Sequence, residues 1–143
     1  MSRDARPYLV DTDIIIYYLA GVYSAEQLVS RLFSHGIAIS VVSYMEVMEG
    51  IVGDPVVRVT QPQFMTLVQG SLLLDVTRAE AGRCAHIRAT LRQQGRRVRP
   101  RVLDLMIAAT AIEHNMTLVT NNPGDYDDIP DLILEAARIV SDR

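Results

Sequence analysis

Short apolar runs of strand length recur along this chain, each separated from the next by a stretch of helical character. Tyr8 to Asp11 reads as a short buried strand, and Thr12 to Leu19 as a helix packed tightly on it and ended by Gly21. Ser24 to Ser34 is a second helix closed by Gly36, and the β-rich run Ile37 to Val41 is the next strand. Ser43 to Ile51 is a helix that stops near Gly53. Asp54-Pro55 then sets a capping residue ahead of a proline suited to the first helical position, so a further helix is expected to about Gln69. Ser71 to Asp75 is a third strand. Thr77 to Gln94 is a long helix, opened by a Thr77–Glu80 capping box and ended by Gly95. Leu103 to His114 is a buried alanine- and isoleucine-rich helix, with Asn115 suited to the left-handed position after it. Thr117 to Thr120 is a fourth strand, and Leu132 to Glu135 a candidate fifth. Strands joined through helices pair in parallel and are covered by those helices. The expectation is an α/β fold, one domain over residues 1–143, with a central parallel sheet of four to five strands.

Composition removes several classes of function. The hydrophobic fraction is 49%, enough for a real core. The best apolar stretch, Ile14 to Tyr23, is about half the length a bilayer needs and contains Gly21. Basic residues lie in Met1 to Pro7, but Asp11 and Asp13 interrupt the apolar segment that follows, which makes a poor signal peptide. A cytoplasmic protein with no membrane partner is expected. Cys84 is the single cysteine, so neither an internal disulfide nor a cysteine-rich zinc site can form, and it reads as a small packing residue. His35, His86 and His114 are scattered, without metal-ligand spacing. All 14 basic residues are arginine, and the absence of lysine excludes the P-loop nucleotide hydrolases. The formal net charge of −3 gives no bulk attraction to nucleic acid.

In an open α/β sheet, ligands bind beyond the carboxyl ends of the strands. Asp11 ends the first strand directly after Leu9 and Val10. Glu46 is expected in the first turn of the helix after the second strand. Asp104 interrupts the apolar run Val102, Leu103, Leu105, Met106, Ile107 near the start of its helix, and Asn122 and Asp125 follow the fourth strand. Carboxylates brought together repel, and one would normally take up a proton. A divalent cation removes that conflict, and an oxygen-only donor set points to Mg²⁺ or Mn²⁺ rather than zinc. Such an ion beside water and phosphate gives phosphodiester hydrolysis.

Each of these residues also has a structural reading. Asp11 or Asp13 could cap the helix that follows, and Asp13 is the one expected to do so. Ser43-Tyr44-Met45-Glu46 is a textual match to a capping box, and from spacing alone Glu46 is a cap more often than a ligand. Asp104 could serve the helix dipole, although a carboxylate entering so apolar a helix needs a partner. Asp125 is equally an Asx-turn residue. The run Arg96, Arg97, Arg99, Arg101 is by default a solvated loop. The alternative is that Arg97, Arg99 and Arg101 grip an RNA backbone.

At these positions the sequence resembles the PIN-domain family, specifically the VapC-type toxins of toxin–antitoxin pairs. The resemblance is carried by Tyr8 to Leu19, by Ile39 to Gly50 with Glu46, by Leu103 to Ala111 with Asp104, and by His114 to Asn122 followed by Asp125-Tyr126 and Ile129-Pro130. It implies a PIN-like three-layer α/β/α fold and an endoribonuclease using Mg²⁺ or Mn²⁺. It implies Asp11 and Asp104 as the principal metal ligands, Glu46 as the middle acid and Asp125 as the acid of the closing motif. Asn122 falls at a position that is Asp or Asn in such proteins, so the fourth acidic role is open between it and Asp125. Thr12 and Thr120 are implied as polar supports, and Asn115 stands where glycine is usual. The implied partners are an RNA substrate, a second copy in a homodimer, and a VapB-type antitoxin that inserts a segment into the acidic groove.

Two other readings compete. Asp11-Thr12-Asp13 fits the paired aspartates of a haloacid-dehalogenase-type phosphohydrolase, but that chemistry uses a lysine and the chain has none. A non-catalytic PIN-like module that binds RNA or protein would have no need of the complete acidic set.

Overall fold

The structure is a computed structural model that describes residues 6–140; residues 1–5, which hold most of the N-terminal stretch weighed as a leader, and 141–143 lie outside the described residues. Among the described residues, five strands form one sheet: β1 (Tyr8–Val10), β2 (Ile37–Ser40), β3 (Leu72–Leu74), β4 (Leu118–Thr120) and β5 (Leu134–Ala136). Their order is β3-β2-β1-β4-β5, and every pairing is parallel. The α-helices of the described residues are α1 (Thr12–Leu19), α2 (Tyr23–Phe33), α3 (Val41–Gly53), α4 (Pro55–Arg58), α5 (Gln61–Gln69), α6 (Arg78–Gln93) and α7 (Val102–Glu113).

Strand alternation sends successive side chains to opposite faces, and in the central strands β1, β2 and β4 both faces are covered. Leu9, Ala38 and Leu118 face one core with Cys84, Ile87 and Leu91 of α6 and Leu105 and Ala108 of α7. Val10, Ile37, Ile39 and Val119 face a second core with Ile14 and Ile15 of α1, Leu28 and Leu32 of α2, and Val47 and Ile51 of α3. The result is the expected three-layer α/β/α arrangement. Among the described residues, no helix is long and apolar enough to cross a membrane.

The strand order fixes where a ligand can enter. The chain runs outward from β1 through β2 to β3, then crosses back to place β4 on the other side of β1. The loops leaving β1 and β4 therefore depart in opposite directions, and a crevice opens beyond their carboxyl ends. Asp11 and Thr120 stand at that point.

Two expectations about helices are corrected. The helix expected from about Asp54 to Gln69 is two helices, α4 and α5, broken after Arg58. Pro62 explains the break. Its ring would clash with the carbonyl of Arg58 and it has no N–H to donate, so it is tolerated only in the first turn of a new helix. Helix α3 begins at Val41, two residues earlier than expected, with Ser40 as its cap accepting from Val42 N–H at 3.1 Å. The Ser43–Glu46 capping box therefore does not exist, and Glu46 lies in the second turn. The Thr77–Glu80 capping box is present, and Asn115 adopts φ of 53°.

Candidate active site

Asp11 is both a cap and a site residue. Its extended backbone ends β1, and its Oδ1 accepts from Thr12 N–H at 2.9 Å, so Asp11 and not Asp13 caps α1. Its two oxygens also accept from the Thr120 hydroxyl at 2.8 Å and the Tyr126 hydroxyl at 3.1 Å. The residue is only 6% exposed. Asp13, one position into the helix, reaches across to the loop after β4. Its Oδ2 accepts from Asn121 N–H at 3.0 Å and from the Asn122 amide at 2.9 Å, while Oδ1 is buried with no hydrogen-bond partner among the described residues.

Glu46 is held from α1. The Thr12 hydroxyl lies 2.7 Å from Glu46 Oε1 and 2.8 Å from Ser43 Oγ. Thr12 has one proton to give. With that proton directed to the carboxylate, Ser43 donates in turn to Thr12, and a three-residue chain fixes the glutamate. Asp104 enters from the first turn of α7, and its Oδ1 lies 3.3 Å from the same Tyr126 hydroxyl that serves Asp11. Asp11 and Asp104 are thus joined through one phenol oxygen.

Asp125 ends a 3₁₀ turn (Pro123–Asp125) just before Tyr126 and adds its charge beside Asp104. Asn122 sits at the start of that turn, its side chain committed to Asp13. The arginines divide. Arg97 and Arg99 are exposed. Arg101 turns inward: its guanidinium clasps the Asp128 carboxylate at 2.7 and 2.9 Å and donates to the Asp125 carbonyl at 2.9 Å. It is a clasp on the loop rather than a free contact for RNA.

The electrostatics follow from this crowding. Burial, reinforced by the charge of Asp13, pushes the Asp11 carboxyl up to about 7. Burial and then Asp125 raise Asp104. Burial raises Glu46 as well; the Thr12 hydrogen bond opposes it, and the charges of Asp104 and Glu49 add to it. Among the described residues, no three His, Cys, Asp or Glu side chains close around one point tightly enough to enclose an ion. The donor set suits a cation that asks for less. Mg²⁺ keeps several waters and is typically held by one or two carboxylates, and Asp11 and Asp104 supply such a pair of hard, mutually repelling oxygens.

Sequence reasoning did not reach Tyr126, Ser43 or Asp128. An aromatic residue inside the polar turn of residues 121–128 was the available signal for Tyr126, since only a buried contact explains one there. Beside Glu46 lies an apolar groove of about 500 Å³ lined by Ile16, Leu19, Val47, Val56 and Val57, with Ile16 and Val56 well exposed.

The PIN-domain family pattern matches residues 8–132. Ribonuclease VapC2 of Rickettsia felis is 29% identical over 132 residues, spanning 90% of this chain and 96% of that protein. The crystal structure of VapBC2 from Rickettsia felis, bound to a DNA fragment from their promoter, superposes with a TM-score of 0.80 at 28% identity, covering 90% of this chain and 97% of that one. DNA-bound VapBC from Salmonella typhimurium shares the fold with a TM-score of 0.80 at 24% identity, covering 91% and 97%.

Proposed function

Since this chain belongs to the PIN-domain family, we propose that it is a metal-dependent endoribonuclease, the toxin of a VapBC-type toxin–antitoxin pair, which hydrolyses RNA at the crevice beyond β1 and β4. The observation that carries the reading is the convergence of Asp11 and Asp104, from distant parts of the chain, on one Tyr126 hydroxyl at 3.1 and 3.3 Å. Carboxylates are crowded there against their own electrostatics, and a cation is the simplest compensation.

Asp11 and Asp104 are the residues to hold Mg²⁺ or Mn²⁺, with Glu46 and Asp125 flanking them. When bound, a divalent ion supplies Lewis acidity toward a phosphate oxygen and lowers the pKa of a coordinated water. Glu46, fixed by Thr12, is the acceptor that orients an attacking water. Thr120 holds the Asp11 carboxylate in place through Oδ2. Exposed Arg97 and Arg99 lie on the loop leading to α7 and are the groups to meet the RNA backbone.

VapBC-5 of Mycobacterium tuberculosis is a member of the VapBC family of toxin–antitoxin systems, and the apolar groove next to Glu46 is suited to the segment of a VapB-type antitoxin. A segment seated there would bring its polar residues within reach of the acidic crevice. A homodimer and a cytoplasmic setting, where RNA targets lie, complete the reading.

The test is cleavage of total RNA by the purified protein. Cleavage that stops with EDTA, returns with Mg²⁺ or Mn²⁺ and is absent from Asp104→Asn is the expected result. Cleavage that persists in EDTA, or in Asp104→Asn at full rate, would overturn the assignment.

A further inference from the structure

Tyr126 is 1% exposed, yet its hydroxyl is directed at carboxylate oxygens rather than at apolar carbon or solvent. A phenolic hydroxyl carries its proton at neutral pH. It therefore has one proton to offer to two acceptors. The ring cannot swing away easily, because the loop that carries it is pinned at both ends. At the start, Asn121 and Asn122 are tied to Asp13. At the end, Arg101 grips Asp128 and the Asp125 carbonyl.

The two acceptors depend on that proton unequally. Asp11 also receives hydrogen bonds from Thr12 N–H and Thr120. Asp104 receives none other than that of Tyr126 among the described residues, and it faces both the like charge of Asp125 and the opposite charge of Arg101.

We propose that Tyr126 is a positioning residue of the acidic site, its hydroxyl holding the Asp104 side chain toward Asp11 in the orientation that a divalent cation needs. The inference rests on the metal-site reading above and goes beyond it in naming the group that pre-organises the ligand pair. Groups that orient metal ligands typically contribute 10- to 100-fold to affinity or activity. Tyr126→Phe removes one oxygen and keeps the ring, so it isolates that contribution.

The experiment is Mn²⁺ titration of the metal-free protein, followed by electron paramagnetic resonance, on wild type and Tyr126→Phe. Thermal melting of both shows whether the fold is retained. The expected result is a dissociation constant for Mn²⁺ raised about 10-fold or more in Tyr126→Phe. The metal concentration for half-maximal RNA cleavage should rise with it, while the KM for RNA stays the same. Arg101→Lys keeps the positive charge facing Asp104 but loses the two-bond clasp that pins the loop through Asp128; it should raise the Mn²⁺ dissociation constant as well, and it covers the case in which Tyr126→Phe fails to fold. Equal affinity in wild type and Tyr126→Phe, or tighter binding in the variant, would overturn the positioning role and leave the metal site standing. Absence of saturable Mn²⁺ binding in wild type would instead overturn the metal site itself.

Discussion

Glu80 and Asp11 are almost equally buried, at 4% and 6% exposure, and their surroundings are opposite. Glu80 at the start of α6 accepts from Thr77 N–H at 2.7 Å and from the Thr77 hydroxyl, and its other oxygen lies 3.4 Å from His114 Nε2. The Thr77 hydrogen bonds hold its carboxyl below the usual range. Asp128 follows the same pattern, lowered chiefly by Arg101. Asp11 also receives three donors, yet burial and the nearby Asp13 charge outweigh them and push it up to about 7. Burial alone does not separate a structural carboxylate from a site carboxylate. The balance of effects does: at Glu80 and Asp128 hydrogen bonds outweigh burial, whereas at Asp11 burial outweighs three donors and the charge of Asp13 adds to it.

Exchanging the roles is the strongest way to break this contrast. Asp11→Asn or Asp104→Asn should lower RNA cleavage by more than about 100-fold, the upper end of what loss of a mere supporting group costs. The metal-free protein should melt no lower than wild type, and Asp11→Asn should melt higher at pH 8 because a buried like charge is gone. A large loss of stability in either variant would place these aspartates with Glu80 as structural groups.

Glu80→Ala should do the reverse. It leaves the Thr77 N–H without its acceptor and should cost about 1–3 kcal/mol of stability by urea titration, with cleavage per folded molecule unchanged. Because the Glu80 carboxyl is lowered in the folded protein, its contribution is present above the ordinary carboxylate range and is lost as pH falls through its folded value. A cleavage defect in Glu80→Ala at full folding would contradict the division.

The smallest expected effect concerns the arginines. Arg97→Ala and Arg99→Ala should each reduce the salt slope of RNA binding by about 1, whereas Arg101→Met should leave that slope unaltered. An equal slope change for all of them would return Arg101 to the RNA contact.

Much of this was readable in the chain, and the exceptions have physical causes. The sheet was visible because both its faces are buried, so its strands stand out as apolar runs such as Ile37–Ile39. Asp11 and Asp104 were visible because a carboxylate beside buried apolar residues is anomalous wherever it sits. Glu46 was obscured by Ser43, whose spacing imitates a capping box while its hydroxyl pairs with Thr12 three-dimensionally. Arg101 looked like its neighbours in a basic run, since only the fold brings Asp128 under its guanidinium. Tyr126 was hidden for the same reason: its burial depends on β1, α7 and the closing loop meeting at one point.

Thermal melting from pH 5 to pH 8, in EDTA and in saturating Mn²⁺, tests most directly whether crowded carboxylates await a cation. A folded-state carboxyl near 7 takes up its proton before the unfolded chain does as pH falls. The metal-free protein is therefore favoured at low pH and loses that stability as pH rises through 7. The melting temperature in EDTA should fall by several degrees from pH 5 to pH 8, and Mn²⁺ should restore it most at pH 8, where Asp11 has lost its proton. Parallel curves in EDTA and Mn²⁺, with no widening gap at high pH, would contradict a cation site built from Asp11 and Asp104.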